Sequence, residues 1–226
     1  EVSDSIQDVL SASPQPCESS CNVCVILPLR HLSNSARQTL YSLAHQESDR
    51  VLGMHVVGPW ASDLEYCQEI ADAAATRWQE KDHGIWEMRT EPRHYLHSKL
   101  MCWVALDRAI ALAPALGAEH RLEHWHAART QVRSAIIARG WSVQAGAYTQ
   151  TFGSDELDAA ALMIPLVGFL PADDPGVLAT LDAIEEQLTD ANGFVYRYRA
   201  DDGLEGGEGP FLVCTFWLAQ ARALAG

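Results

Sequence analysis

The chain has 226 residues, 48% of them hydrophobic and 20% charged, an ordinary globular composition that rules out extended disorder or a collagen-like repeat and leaves room for one or two packed domains. Its formal net charge of −14, with no Lys/Arg-rich run to offset it, argues against nucleic acid or an anionic membrane surface as partner. No apolar run approaches the ~18 residues needed to span a bilayer, and the polar start E-V-S-D lacks the basic and apolar regions of a secretory leader; the expected location is cytoplasmic.

Residues 1–59 show little sustained periodicity. Pro, Ser and Gly interrupt them, and a short helix around 35–45 is all that the pattern suggests. This stretch holds Cys17, Cys21 and Cys24, a C-x3-C-x2-C spacing that some iron–sulfur enzymes use. The surrounding prolines and serines read instead as a loose polar segment, and no strand-rich α/β pattern follows, so no cluster and no metal is expected. Cys102 and Cys214 lie in apolar helical runs, where Cys behaves as a small buried hydrophobe.

From Trp60 onward the pattern is helical. The spacing predicts an amphipathic helix over 63–78 and a nearly all-apolar one over 98–113, stopped by Pro114 and Gly117. An amphipathic helix over 119–139 ends at Gly140 as C-cap. An apolar helix follows over 157–170, then an amphipathic one over 175–189 with Pro in its first turn, then an apolar one over 210–225. The sequence His120-Arg121-Leu122-Glu123-His124 fits a zinc-binding H-x-x-E-H pattern, but it opens a polar helix among other exposed-type residues and reads as surface.

The connections alternate. Long loops (80–96, 140–156, 190–209) precede the apolar helices, and short turns precede the charged ones. Helices apolar all round belong inside and amphipathic ones outside, so the pattern is all-α: hairpins of an inner and an outer helix, with the long loops gathered at one end. Three such hairpins are half of a six-hairpin toroid, an incomplete (α/α)6 arrangement. Function is expected on the long-loop end, where loops are set on a rigid scaffold.

The first long loop carries the chemistry. In D-H-G-I-W-E-M-R, Glu87 directly follows Trp86. A carboxyl desolvated by an indole can hold a proton near neutral pH, which makes Glu87 a candidate general acid. The plain alternative is that Trp86 caps a helix pair and Glu87 is a solvated loop charge.

These residues also carry a resemblance. D-H-G-I-W-E-M-R with the following E-P-R-H-Y-L-H-S-K-L-M-C-W-V-A-L-D-R-A, then G-S-D-E-L-D-A-A-A-L-M-I-P-L-V-G-F-L-P, V-Y-R-Y-R and E-G-P-F-L-V-C-T-F-W-L-A-Q-A, resembles bacterial members of glycoside hydrolase family 15. That family comprises glucoamylases and trehalases with an (α/α)6 catalytic barrel. The resemblance covers residues 60–226 and implies a partial six-hairpin glycosidase domain, preceded by an irregular segment, 1–59, that does not match. It implies an inverting hydrolase of α-linked glucosides, with a small carbohydrate substrate and no cofactor. Glu87 matches the family's general acid and Trp86 its aromatic neighbour in the sugar pocket. Arg197 or Arg199 resembles the arginine that holds sugar hydroxyls, and the doubled Y-R-Y-R leaves the choice open. Asp158, Lys99 and Arg108 match recurrent polar positions, Arg108 with structural ion pairing as an equal alternative.

Inversion needs a second carboxylate as general base. The resemblance places it downstream of the F-L-V-C-T-F-W helix, beyond Gly226; within the chain only Glu205 and Glu208 stand in, with a helix N-terminal anchor as the other reading of Glu208. The first residue is not Met and the last ones still follow a helical pattern, so both ends look cut. A half-ring is expected to expose the apolar flanks of the helices at 98–113 and 210–225 and to self-associate. The competing class is a non-catalytic helical fragment that retains only a sugar-binding loop end.

Overall fold

The computed structural model describes residues 42–45, 50–54, 61–199 and 209–226, with side chains from Cys67 onward. The Cys17–Cys21–Cys24 cluster, most of 1–59, and both Glu205 and Glu208 lie outside the described residues. Strands β1 (Ser42–His45) and β2 (Arg50–Met54) pair antiparallel. Residues 42–45 are therefore strand, where the periodicity predicts the end of a helix.

The rest is mostly helical. Helix α1 spans Ala61–Arg77 and α2 Leu96–Leu116. Pro114 sits inside α2 instead of stopping it. The helix ends two residues later at Gly117, which takes the left-handed conformation (φ 61°) that glycine adopts without steric cost. A single turn at Glu119–Arg121 leads into α3, Leu122–Arg139. Its buried residues Trp125, Ala128, Val132 and Ile136 recur every three or four positions, and this one stripe packs against α2. Gly140 caps α3 in a right-handed conformation (φ −84°). Glycine is needed there for space: a Cβ would lie 2.7 Å from both the Ile136 carbonyl and the Leu96 side chain.

A small hairpin, β3 (Trp141–Ser142) with β4 (Ala147–Tyr148), folds the second long loop. The continuous helix predicted over 157–170 does not form. Asp158 is extended (φ −144°, ψ 129°), Ala159–Leu162 is a 3-10 turn, and only Met163–Leu166 is α-helical (α4). Two local causes act here. Pro165 has no N–H to continue a helix, and Gly168 at φ 76° closes the turn. A third is tertiary: the backbone at Asp158 bridges to Tyr198 and is drawn out as a strand. Helix α5 (Pro175–Leu188) starts where Asp174 accepts from the amides of Gly176 and Val177. Helix α6 (Leu212–Ala225) closes the described chain.

One contiguous core runs through all of these helices. Helix α2 is flanked by α1 and α3, and Cys67, Ile70, Ala71 and Ala74 of α1 are buried, so its flank is covered rather than exposed. Helix α6 packs against α4 and α5 through Cys214, Trp217, Leu218 and Ala221. Its other face, with Leu212, Phe216 and Leu224 at 54%, 64% and 55% exposure, stays open. Cys102 is half-buried and Cys214 buried, and desolvation pushes both thiols up. Among the described residues no helix is long and apolar enough to cross a membrane.

The three long loops are laced together by backbone hydrogen bonds. Phe152 N donates to His94 O, Leu96 N to Gln150 O and Ala159 N to Arg197 O, all within 2.8–2.9 Å. Isolated bridges join Tyr95 to Thr151 and Asp158 to Tyr198. The loop end foreseen from the alternation of long and short connections is thus one connected surface.

Candidate active site

The Trp86–Glu87 pair sits on a tight turn. Gly84 (φ 71°) starts it, and the amides of Glu87 and Met88 donate back to the carbonyls of Gly84 and His83 at 3.3 and 2.9 Å. Gly84 is irreplaceable sterically, since a Cβ would lie 2.7 Å from the buried ring of Tyr95. Glu87 itself has φ 53°, and it is the one non-glycine residue with positive φ among the described residues. Its side chain is exposed. The burial of this carboxylate expected from the W-E order is therefore not found; the Trp86 N–H is given to Asp158.

The turn is anchored from beneath. Asp82 accepts from Gly84 N at 2.7 Å, Ser98 Oγ at 2.6 Å and Lys99 Nζ at 3.0 Å. Lys99 is 3% exposed and also donates to the Glu80 carbonyl. Lys99 thus sits in the first turn of α2 and ties down the loop's base. Arg108 lies nine residues further along α2, about 14 Å by the helical rise, and is engaged by Asp107 and by the Val167 carbonyl at 2.7 Å. Its contacts are those of a structural ion pair in the middle of the helix, away from the loop.

Above the turn, the Trp86 indole N–H points to Asp158, 2.9 and 3.0 Å from its two oxygens. Asp158 also accepts from Gln150 Nε2 at 3.1 Å and Ala160 N at 2.7 Å. Burial pushes its carboxyl up to about 6, against the pull of those hydrogen bonds and of Arg197. The Arg197 guanidinium lies 5.5 Å from the ring centres of both Trp86 and Phe211. Trp86 further meets Phe211 edge-on at 5.9 Å and Trp217 at 6.2 Å. Arg199 is exposed and stacks on Tyr196 at 4.7 Å, away from this cluster. A small cavity lined by Ile85, Tyr95, His97, Gln150, Asp158 and Ala160 lies beneath; burial there lowers His97 to about 4.

The structure therefore brings Trp86, Glu87, Asp158 and Arg197 to one end, and keeps Lys99 below, with Arg199 to one side. The sequence reading missed Gln150, His97, Phe211 and Trp217. The last two, at the start and middle of an apolar helix, look like ordinary core, and Gln150 in Y-T-Q-T-F carries no motif. His120, Glu123 and His124 are exposed, and no group of three metal-ligating side chains is found among the described residues.

Comparison with known proteins converges on one family. Residues 59–226 match the family described as Glycosyl hydrolases family 15. A trehalase of Mycolicibacterium smegmatis is 46% identical over 153 residues, covering 66% of this chain and 23% of the relative. A trehalase of Thermoplasma volcanium is 38% identical over 157 residues, covering 69% of this chain and 25% of the relative. The chain thus spans about a quarter of the length of these curated relatives. Among solved structures, a glycosidase in complex with glucose superposes with TM-score 0.58 at 23% identity, covering 68% of this chain and 40% of the other. Glucoamylase from Saccharomycopsis fibuligera superposes with TM-score 0.53 at 17% identity, covering 70% and 37%. These neighbours share the helical architecture, and the fold is a partial all-α toroid. With the family match spanning the whole helical region and its loop end, this chain belongs to glycosyl hydrolase family 15.

Proposed function

We propose that the protein hydrolyses α-linked glucosides, trehalose or malto-oligosaccharides, by inversion, with Glu87 as general acid. The trehalases among its relatives favour trehalose. The observation that carries the assignment is the backbone of Glu87. A left-handed conformation at a residue bearing a side chain costs ~1–2 kcal/mol, and it persists where the surroundings over-determine it, which is typical of functional turns. Here it aims an exposed carboxylate from the loop end while the preceding indole is clamped.

Arg197 is the sugar-holding arginine in this reading. Its guanidinium lies over Trp86, beside the acid, whereas Arg199 faces Tyr196. Trp86 would supply an apolar platform for a sugar ring. An inverting reaction also needs a carboxylate about 6.5–9.5 Å from the acid to activate water; within this chain Glu208 is the candidate. Cys102 and Cys214 are thiols, which suits a reducing compartment such as the cytoplasm.

The test is hydrolysis of trehalose and maltose, with the anomer of the first glucose followed by NMR; inversion delivers β-glucose. Glu87→Gln should cut turnover on trehalose by about 10³-fold or more and spare glucosyl fluoride, whose leaving group needs no proton. Equal loss on both substrates removes Glu87 from the acid role. Arg197→Lys, which loses the planar fork, should impair substrate use severely, and Arg199→Lys should not. Trehalose binding with no turnover would leave a sugar-binding protein instead.

A further inference from the structure

A carboxylate offers about four lone-pair directions to donors, and in Asp158 both oxygens are already engaged by three N–H donors of the protein, one of them shared. One oxygen accepts from Trp86 Nε1 at 2.9 Å and Ala160 N at 2.7 Å; the other accepts from the same indole at 3.0 Å and from Gln150 Nε2 at 3.1 Å. The side chain is 4% exposed. A sugar hydroxyl would find no open path to it.

The same residue joins three loops that are far apart in sequence. Its carboxylate holds the turn at 84–88 through Trp86 and the segment at 147–151 through Gln150. Its backbone bridges to Tyr198, and the next amide, Ala159 N, donates to Arg197 O at 2.8 Å. The indole it fixes is the surface over which the Arg197 guanidinium lies at 5.5 Å.

We infer that Asp158 is a positioning residue: it touches no substrate, and it sets the Trp86 indole, and through it the Glu87 turn and the Arg197 guanidinium, in one fixed geometry. Its place at the site rests on the proposed roles of Glu87 and Arg197. Reacting groups must be held within a fraction of an ångström, so a loose clamp lowers turnover even when substrate still binds.

The charged and titratable groups facing this carboxylate are Arg197 from the loop that bridges to it, Tyr95 before α2, Cys214 on α6, and His97 in the same small cavity. Tyr95 and Cys214 are raised by burial and His97 is lowered to about 4, so none of them shares the range of Asp158. The Trp86 indole N–H, bonded to both oxygens of Asp158, therefore reports on that carboxylate near pH 6.

The experiment labels the indoles of the chain with 15N and identifies the Trp86 resonance by its loss in Trp86→Phe. In the wild-type chain this resonance should move with pH around a midpoint of about 6. In Asp158→Asn, whose amide oxygen can still accept from the indole and Ala160, it should be flat through that range. A wild-type resonance that does not follow pH, or one that still does in Asp158→Asn, overturns the clamp. The kinetic arm expects kcat on trehalose to fall about tenfold in Asp158→Asn and about 100-fold or more in Asp158→Leu, with KM in Asp158→Asn within about twofold. A large rise in KM at unchanged kcat would make Asp158 a sugar ligand and end the proposal. If the wild-type chain releases no glucose from α-glucosides, the proposed activity fails, while the indole titration still decides the clamp.

Discussion

Trp86 and Asp158, 72 residues apart in the chain, are joined by an indole N–H shared between both carboxylate oxygens at 2.9 and 3.0 Å. Burial pushes the Asp158 carboxyl up to about 6. A second buried group, His97, lines the same cavity and is displaced in the opposite sense, staying neutral down to about pH 4.

These two groups should oppose each other in the pH dependence of stability. Asp158 is raised from 3.8 to about 6, so between those values the fold binds more protons than the unfolded chain, and stability from this group is lost as pH rises. His97 is lowered from 6.5 to about 4, so its contribution is present above 6.5 and lost as pH falls. Each is worth ~3 kcal/mol across its window, and together they nearly cancel. Urea unfolding from pH 4 to 6.5 should then show a shallow slope in the wild type. Asp158→Asn should make stability climb with pH, and His97→Gln should make it fall. Parallel slopes in the two variants would refute the opposition.

Glu87→Gly should separate stability from activity. The positive φ at 87 is free of penalty for glycine, so the variant should gain ~0.5–1 kcal/mol in denaturant unfolding while losing hydrolysis of trehalose. A variant that is less stable than wild type would mean that the contacts of the Glu87 side chain outweigh the strain.

Lys99→Met should loosen the base of the loop that carries Glu87. It removes the cation from Asp82 in a pair whose Lys side chain is 3% exposed, and a buried charge left without its partner costs ~3–5 kcal/mol. Thermal melting should show the loss, and Asp82→Asn in the Lys99→Met background should recover part of it, because no lone charge remains. A substrate-contacting Lys99 would instead leave the melt unchanged and raise KM.

The open face of α6 should drive self-association. Leu212, Phe216 and Leu224 together present an exposed apolar strip, and burying such surface yields about 25 cal/mol per Å2. Light scattering of the chain should show concentration-dependent oligomers, and Phe216→Gln with Leu212→Gln should lower the apparent mass. A wild-type chain that stays monomeric would remove the argument.

Much of this fold is written locally. The stripe Trp125, Ala128, Val132, Ile136 foretells α3 because helical period and burial coincide, and Asp174 before Pro175 marks the start of α5 because cap and proline act within one turn. The alternation of long and short connections foretells the loop end, and Trp86 and Glu87 are neighbours in sequence. Other features depend on groups that meet only in three dimensions. The apolar run at 157–170 reads as helix, yet Asp158 is drawn into a bridge with Tyr198, and Pro165 leaves only one helical turn. Lys99 reads as a site residue, but the Asp82 beneath it claims its charge. The indole beside Glu87 serves Asp158 instead, and Arg197 separates from Arg199 only through the rings over which each lies. Period, caps and turns act within a few residues and so are legible in the chain, whereas desolvation and hydrogen-bond partnership are properties of distant groups brought together, which only the tertiary structure decides.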